Sequence, residues 1–292
     1  MRSGYLALVG FALVATPAAA ASFAFSTGSP DGLIAAASRP DTGGVLEKET
    51  ADDFVLGSAT RITSASFTGL ITGAAAPGAV GDVTVEIYRV FPQDSDVGRT
   101  SGAPTFSTSQ VPTRVNSPSD VAFDSRGSGS DLTFSTLTLS ASFTAANSVV
   151  NGIHPLPNPF TGGEGPVTGA ETEFSVNFTT PFILPAGHYF FVPQVQVTGG
   201  DFLWLSAPRP IIAPGTTFSP DLQAWTRDAN LDPDWLRIGS DITHGGPFNM
   251  TFSLNGVTVP EPSTWALMLL GLGGAGAVLR RRRWGPHGAG LA

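Results

Sequence analysis

Cysteine is absent from the 292-residue chain, which excludes disulfide staples, thiolate metal sites and a cysteine nucleophile. Stability has to come from the core instead. Charge is scarce as well. Charged residues are 13% against 41% hydrophobic, and the 35 glycines, 24 prolines and 20 phenylalanines suit short strands joined by turns better than solvated helices. Basic residues are scarcest in the middle of the chain: with Arg2 and the run Arg280–Arg283 set aside, ten remain against 23 acidic residues, a balance of about -13. Such a body argues against a nucleic-acid partner. Recognisable catalytic patterns are missing too, with no Gly-x-Ser-x-Gly, no His-Glu zinc helix and no phosphate-cradling loop.

The length admits one large domain or two small ones, and β-sandwiches often exceed two hundred residues as one unit. One domain is expected here, at 22–258, between two specialised ends at 1–21 and 259–292.

The first end reads as a secretory signal peptide. Met1-Arg2 supplies a minimal positive start, Tyr5 to Val14 is a short apolar run, and Pro17 to Ala21 offers small residues for signal peptidase, with cleavage after Ala20 or Ala21. At the other end, Trp265 to Leu279 carries no charge and is followed at once by Arg280, Arg281, Arg282 and Arg283. That run is short for a transmembrane helix, which needs about twenty residues, although snorkelling arginines extend its reach. The arginines orient such a helix with the basic tail inside and the acidic domain outside.

Just before the apolar run stands Val259-Pro260-Glu261-Pro262-Ser263-Thr264. The two prolines keep Glu261 extended and deny it a helical start. Pro-Glu-Pro, an apolar segment and an arginine cluster, in that order at the C-terminus, resemble the PEP-CTERM sorting signal of Gram-negative bacteria. The resemblance implies recognition of Pro260, Glu261 and Pro262 by a membrane-embedded exosortase, and carriers of this signal tend to accompany exopolysaccharide and biofilm production. In this chain nine residues follow the arginines, where the signal usually ends sooner.

The middle has period-two segments and no helical stripe, which predicts an all-β fold. Val83, Val85, Ile87 and Phe91 alternate with polar neighbours, as do Phe174, Val176 and Phe178, and Met250, Phe252 and Leu254, the last set read as the closing strand. Thr60 to Ile71 and Asp131 to Ser140 read as strands, the second with a bulge between Phe134 and Leu137. Pro193 places Tyr189 to Val197 at an edge or a bend. Pro92 to Pro118 and Gly152 to Gly169 read as long loops, leaving about ten strands in a two-sheet, jelly-roll-like sandwich.

Candidate binding residues are few. Asp94 with Asp96, and Asp228 with Asp232 and Asp234, gather oxygens of the kind calcium prefers, while the same residues also suit turns. Trp225 and Trp235, flanked by Gln223, Arg227 and Asp234, could present an aromatic face to a polysaccharide or lie in the core like Trp204. His154, His188 and His244 read as turn residues. The chain is therefore expected to be a non-enzymatic exported surface or matrix protein, with a secreted glycan hydrolase as the alternative.

Overall fold

The computed structural model describes residues 20–42, 44–73, 79–99, 115–153, 160–208, 223–260, 269–276 and 280. Ser22–Thr258 forms one compact unit, and the two chain ends, 1–21 and 259–292, form another.

The large unit is mostly β. In chain order its strands are β1 (Ser22–Ser26), β2 (Ile34–Ala37), β3 (Lys48–Leu56), β4 (Thr60–Gly73), β5 (Val80–Arg89), β6 (Asp124–Gly127), β7 (Leu132–Ala145), β8 (Asn147–Val149), β9 (Val167–Leu184), β10 (Gly187–Val197), β11 (Gly200–Ala207), β12 (Trp225–Asp228), β13 (Leu236–Arg237), β14 (Asn249–Met250) and β15 (Phe252–Thr258). Short helical turns occur at Val97–Arg99 and Ile238–Thr243.

The strands form two sheets. The nine-stranded sheet runs β1-β15-β4-β11-β2-β8, with β9 pairing the free side of β4, β7 pairing β9, and β14 pairing β11. The six-stranded sheet runs β13-β12-β3-β10-β5-β6. The fifteen strands among the described residues exceed the ten expected and the eight of a simple jelly roll, and the β2–β8 pair is parallel. The chain changes sheet at tight connections. β10 belongs to the smaller sheet and β11 to the larger, and Gly199, at φ +74, supplies the left-handed residue that the turn between them requires.

Phenylalanine joins the sheets. Phe191 of β10 stacks on Phe252 of β15 with centroids 5.1 Å apart and planes 3° from parallel. Phe67 of β4 lies 5.0 Å from Phe174 of β9 and 6.2 Å from Phe191 across the interface. Each such ring, fully buried, contributes about 1.5–3 kcal/mol of transfer free energy. The alternating residues Val83, Val85, Ile87, Phe174, Val176, Phe178, Met250, Phe252 and Leu254 all point into this core. A second, smaller cluster of Ala51, Tyr88, Phe190, Val192, Trp225 and Trp235 lies apart from it.

Three local expectations change. The irregularities of β7 fall between Thr138 and Ser140 and between Ser140 and Phe143, farther along than the hydrophobic phase implied. Strand β10 is central, paired with both β3 and β5. Its Pro193 is accommodated because the ladder with β3 ends at Phe191–Asp52, two residues earlier, and the side chain of Ser38 reaches the Pro193 carbonyl at 2.6 Å. The long loops carry some order, since the helical turn Val97–Arg99 lies within the first and β9 begins at Val167 within the second.

At the C-terminal end, Pro260 is half-buried without regular structure, residues 269–276 are helical and exposed, and Arg280 is helical and exposed. Among the described residues no helix is long and apolar enough to cross a membrane. The proposed signal peptide up to residue 19, Glu261, Pro262, residues 265–268 and 277–279 of the apolar segment, and Arg281–Arg283 lie outside the described residues.

Candidate functional site

Strand β3 has the sequence Lys-Glu-Thr-Ala-Asp-Asp-Phe-Val-Leu, yet nearly every residue is buried. It lies between β12 and β10, so its charged side chains must find partners inside the protein. The backbone N–H of Met250 donates to Asp52 at 2.8 Å, and Asp53 meets the ring of His188 at 3.0 Å. Thr50 donates its hydroxyl to the Ala37 carbonyl at 2.9 Å. Lys48 donates to the Val150 carbonyl and, at 3.0 Å, to Asn151. Burial lowers the Lys48 ammonium below its ordinary range, and Arg39 adds to this.

The densest polar cluster forms around Arg227 of β12. Its Nε donates to Glu49 and its terminal nitrogens reach the Tyr88 hydroxyl at 2.8 Å and Asp232 at 2.7 Å. The same guanidinium lies over the rings of Trp235, at 4.3 Å, and Tyr88, at 5.2 Å. Tyr88 oxygen is 2.8 Å from carboxylate oxygens of both Glu49 and Glu86, and its single proton serves one of them at a time. Burial by itself would lower the Arg227 guanidinium, but Glu49, Tyr88 and Asp232 outweigh it and hold the group charged, above its ordinary range. Burial also raises the Tyr88 phenol, with the Glu49 charge acting in the same direction. This cluster was not legible beforehand. Only the presence of Lys48, Glu49, Asp52 and Asp53 within a β-forming stretch hinted at it.

The residues singled out as ligands fall in or beside this cluster. Trp225 and Trp235 are buried, 0% and 1% exposed. The Trp235 indole N–H donates to the Ser119 carbonyl at 3.2 Å and its ring meets Tyr88 edge-on. Gln223 is buried and accepts from Ser240. The carboxylates of the calcium expectation each have protein partners. Asp228 accepts the backbone N–H groups of Asn230 and Leu231, both at 3.0 Å, in the manner of a turn. Asp232 pairs with Arg227, and Asp234 takes a two-point bond from Arg99 at 3.0 and 3.3 Å. The three carboxylates are thus directed to separate partners, and among the described residues no group of three or more potential metal ligands comes together. Asp94 pairs with Arg89, and Asp96 accepts the Gly98 N–H at 2.9 Å.

The histidines divide. His244 adopts a left-handed conformation after the Ile238–Thr243 turn and stacks on Phe160 at 3.8 Å, as a turn residue can. His188 instead lies within β10, and His154 is outside the described residues.

Among the described residues, surface concavities include the following two. One, of about 560 Å³, is lined by residues including Asp31, Leu33, Thr243 and Phe248. The Asp31 carboxylate there already accepts the Leu33 N–H at 2.9 Å. The other, of about 420 Å³, is a polar groove with Glu171, Glu173, Ser66, Ser253 and Leu139 on its walls. Ser66 and Ser253 bond each other at 2.7 Å, and partial burial raises the Glu171 carboxyl.

Neither a curated protein nor a solved structure matches the chain. Residues 258–283 match the family model of the PEP-CTERM protein-sorting motif, so Pro260, Glu261, Pro262 and Arg280–Arg283 all lie within it. The chain therefore carries a PEP-CTERM sorting motif at its C-terminal end, the mark of an exosortase substrate.

Proposed function

We propose that this chain is a non-enzymatic surface or matrix protein of a Gram-negative bacterium, exported by its N-terminal signal, held briefly in the inner membrane and released by exosortase into an exopolysaccharide layer. The observation that carries this reading is the sorting motif at 258–283. The order of parts within it suits the task. Prolines 260 and 262 keep Glu261 extended, the apolar segment parks it beside the membrane, and the arginines stop translocation. Residues 22–258 supply the cargo, a β scaffold whose buried charged side chains are taken up by internal pairs.

A glycan hydrolase is the second reading, and the groove bearing Glu171 and Glu173 is the observation that favours it. The two readings separate cleanly: replacing both glutamates with glutamine abolishes any turnover of the producing strain's polysaccharide if the groove is catalytic.

Intact mass measurement on the surface form tests the sorting reading. In a host with the exosortase the mature chain lacks Arg280–Arg283. Accumulation of the chain with its arginines still attached would show the C-terminal segment to be an anchor only.

A further inference from the structure

The outer face of the larger sheet carries a row of serines. Ser26 of β1 lies opposite Ser253 of β15, Ser253 opposite Ser66 of β4, Ser66 opposite Ser175 of β9, and Ser175 opposite Ser135 of β7. Their sequence neighbours Phe25, Leu254, Phe67 and Phe174 point into the core, so the serines stand on the other side, one per strand at a spacing of about 4.8 Å. The polar groove lies along this row, with Ser26, Ser66 and Ser253 on its walls. Glu171 and Glu173, two residues apart on β9, line it as well. Neither glutamate makes a hydrogen bond or ion pair among the described residues, and no basic side chain is among the lining residues. Thr68, opposite Glu173, also lines the groove and is only 9% exposed. Its N–H and carbonyl are both taken by Thr251, at 3.4 and 2.9 Å, while its hydroxyl has no partner among the described residues. A recess holding an unpartnered hydroxyl and two unpaired carboxylates is built to have those groups met from outside the chain.

We propose that this groove binds an amino sugar of an extracellular polysaccharide, with its protonated amine between Glu171 and Glu173 and its hydroxyls on Thr68, Ser66 and Ser253. Size and charge select that ligand. A recess of about 420 Å³ takes a sugar unit rather than a bare ion, and two carboxylates fall short of the oxygen set that calcium gathers. Walls without a base repel an acidic sugar, and a neutral one leaves both carboxylates without a counter-charge. An ammonium supplies that charge through charge-assisted hydrogen bonds. Partial burial already raises the Glu171 carboxyl, a penalty that a neighbouring cation relieves. The serine and threonine hydroxyls both donate and accept, as sugar hydroxyls do, and Leu139 offers an apolar patch to a ring face. Ser175 and Ser135 continue the row past the groove, so further units of a polymer can lie across the strands. The inference rests on the matrix reading and deepens it by naming the chemistry of the polysaccharide that the cargo holds.

Calorimetric titration of the full-length protein with a glucosamine trisaccharide, its N-acetylated counterpart and the glucose analogue tests this, at about pH 6, where the sugar amine is largely protonated. The glucosamine trisaccharide is expected to bind about tenfold tighter than either of the others. The double variant Glu171→Gln/Glu173→Gln keeps the shape of the groove and should lose that preference. Thr68→Val, of nearly equal volume, should weaken binding of the glucosamine trisaccharide about threefold. Equal affinity for the three sugars overturns the proposal. So does a lack of binding by all of them, or a preference for the amine that survives in the double variant. Calcium chloride and a lysine tripeptide are titrated separately, and saturation by either one at an affinity equal to that of the glucosamine trisaccharide assigns the groove to a metal ion or a basic peptide instead. Intact mass reports sorting independently, so a chain that is cleaved as expected yet shows no preference for the amine loses this inference alone.

Discussion

The guanidinium of Arg227 lies 4.3 Å from the centroid of the Trp235 ring. Glu49 and Tyr88 complete its surroundings, so one cation ties β12 to β3 and β5 and is shielded from water by an indole. An ion pair this deep gains little over an apolar substitute, but losing one partner leaves the other charge buried and alone.

Arg227→Met should therefore destabilise residues 22–258 by about 3–5 kcal/mol. The double variant Glu49→Leu/Arg227→Met should recover much of that loss. Urea denaturation of wild type, the single variants Glu49→Leu and Arg227→Met and the double variant measures the cycle, and a double variant as unstable as the sum of the singles would contradict the coupling.

Gly69 gives a packing test. A Cβ there would lie 2.2 Å from the Phe202 ring and 2.7 Å from the Leu203 carbonyl, too close for either to yield freely. Gly69→Ala should cost about 1–3 kcal/mol through overpacking. Gly127→Ala, where a Cβ meets nothing within 4 Å, is the matched control and should stay near wild type in the same thermal melts.

Lys48 carries a pH dependence of known sign. Its ammonium is lowered by burial from the ordinary 10.5, so between the folded and unfolded values the unfolded chain binds more protons. The contribution of this residue to stability therefore rises with pH through that window. Comparing wild type with Lys48→Met by urea midpoint at neutral and alkaline pH isolates it. The difference should move in favour of wild type as pH increases, and movement the other way would rule out a lowered amine.

The sorting motif should fail in two distinguishable ways. Glu261→Ala should leave membrane insertion intact and block cleavage, so that the full-length chain accumulates in the inner membrane. Deleting Arg280–Arg283 removes the stop to translocation. The chain then slips through the membrane or leaves it unprocessed. Fractionation followed by immunoblotting separates the outcomes, and identical behaviour of both variants would mean that Glu261 has no role separate from anchoring.

What the sequence by itself determined was the sorting signal and the period of the strands. Pro260-Glu261-Pro262 and the arginine cluster act through local order along the chain, and no fold is needed to assemble them. The alternation around Val85, Phe174 and Phe252 is likewise local, because side chains two residues apart on a strand share a face. Tertiary structure alone decided the fate of the polar and aromatic residues. Trp225 and Trp235 can stand on a surface or in a core with the same neighbours in sequence, and only the partners brought from Glu49, Tyr88 and Ser119 put them inside. Asp228, Asp232 and Asp234 are close along the chain, yet a turn, Arg227 and Arg99 draw them to separate partners. The burial of Lys48, Glu49, Asp52 and Asp53 depends on β10 and β12 arriving on either side of β3 from distant parts of the chain. A charged side chain can be buried only where such partners meet it, and which partners meet is a property of the packed sheets.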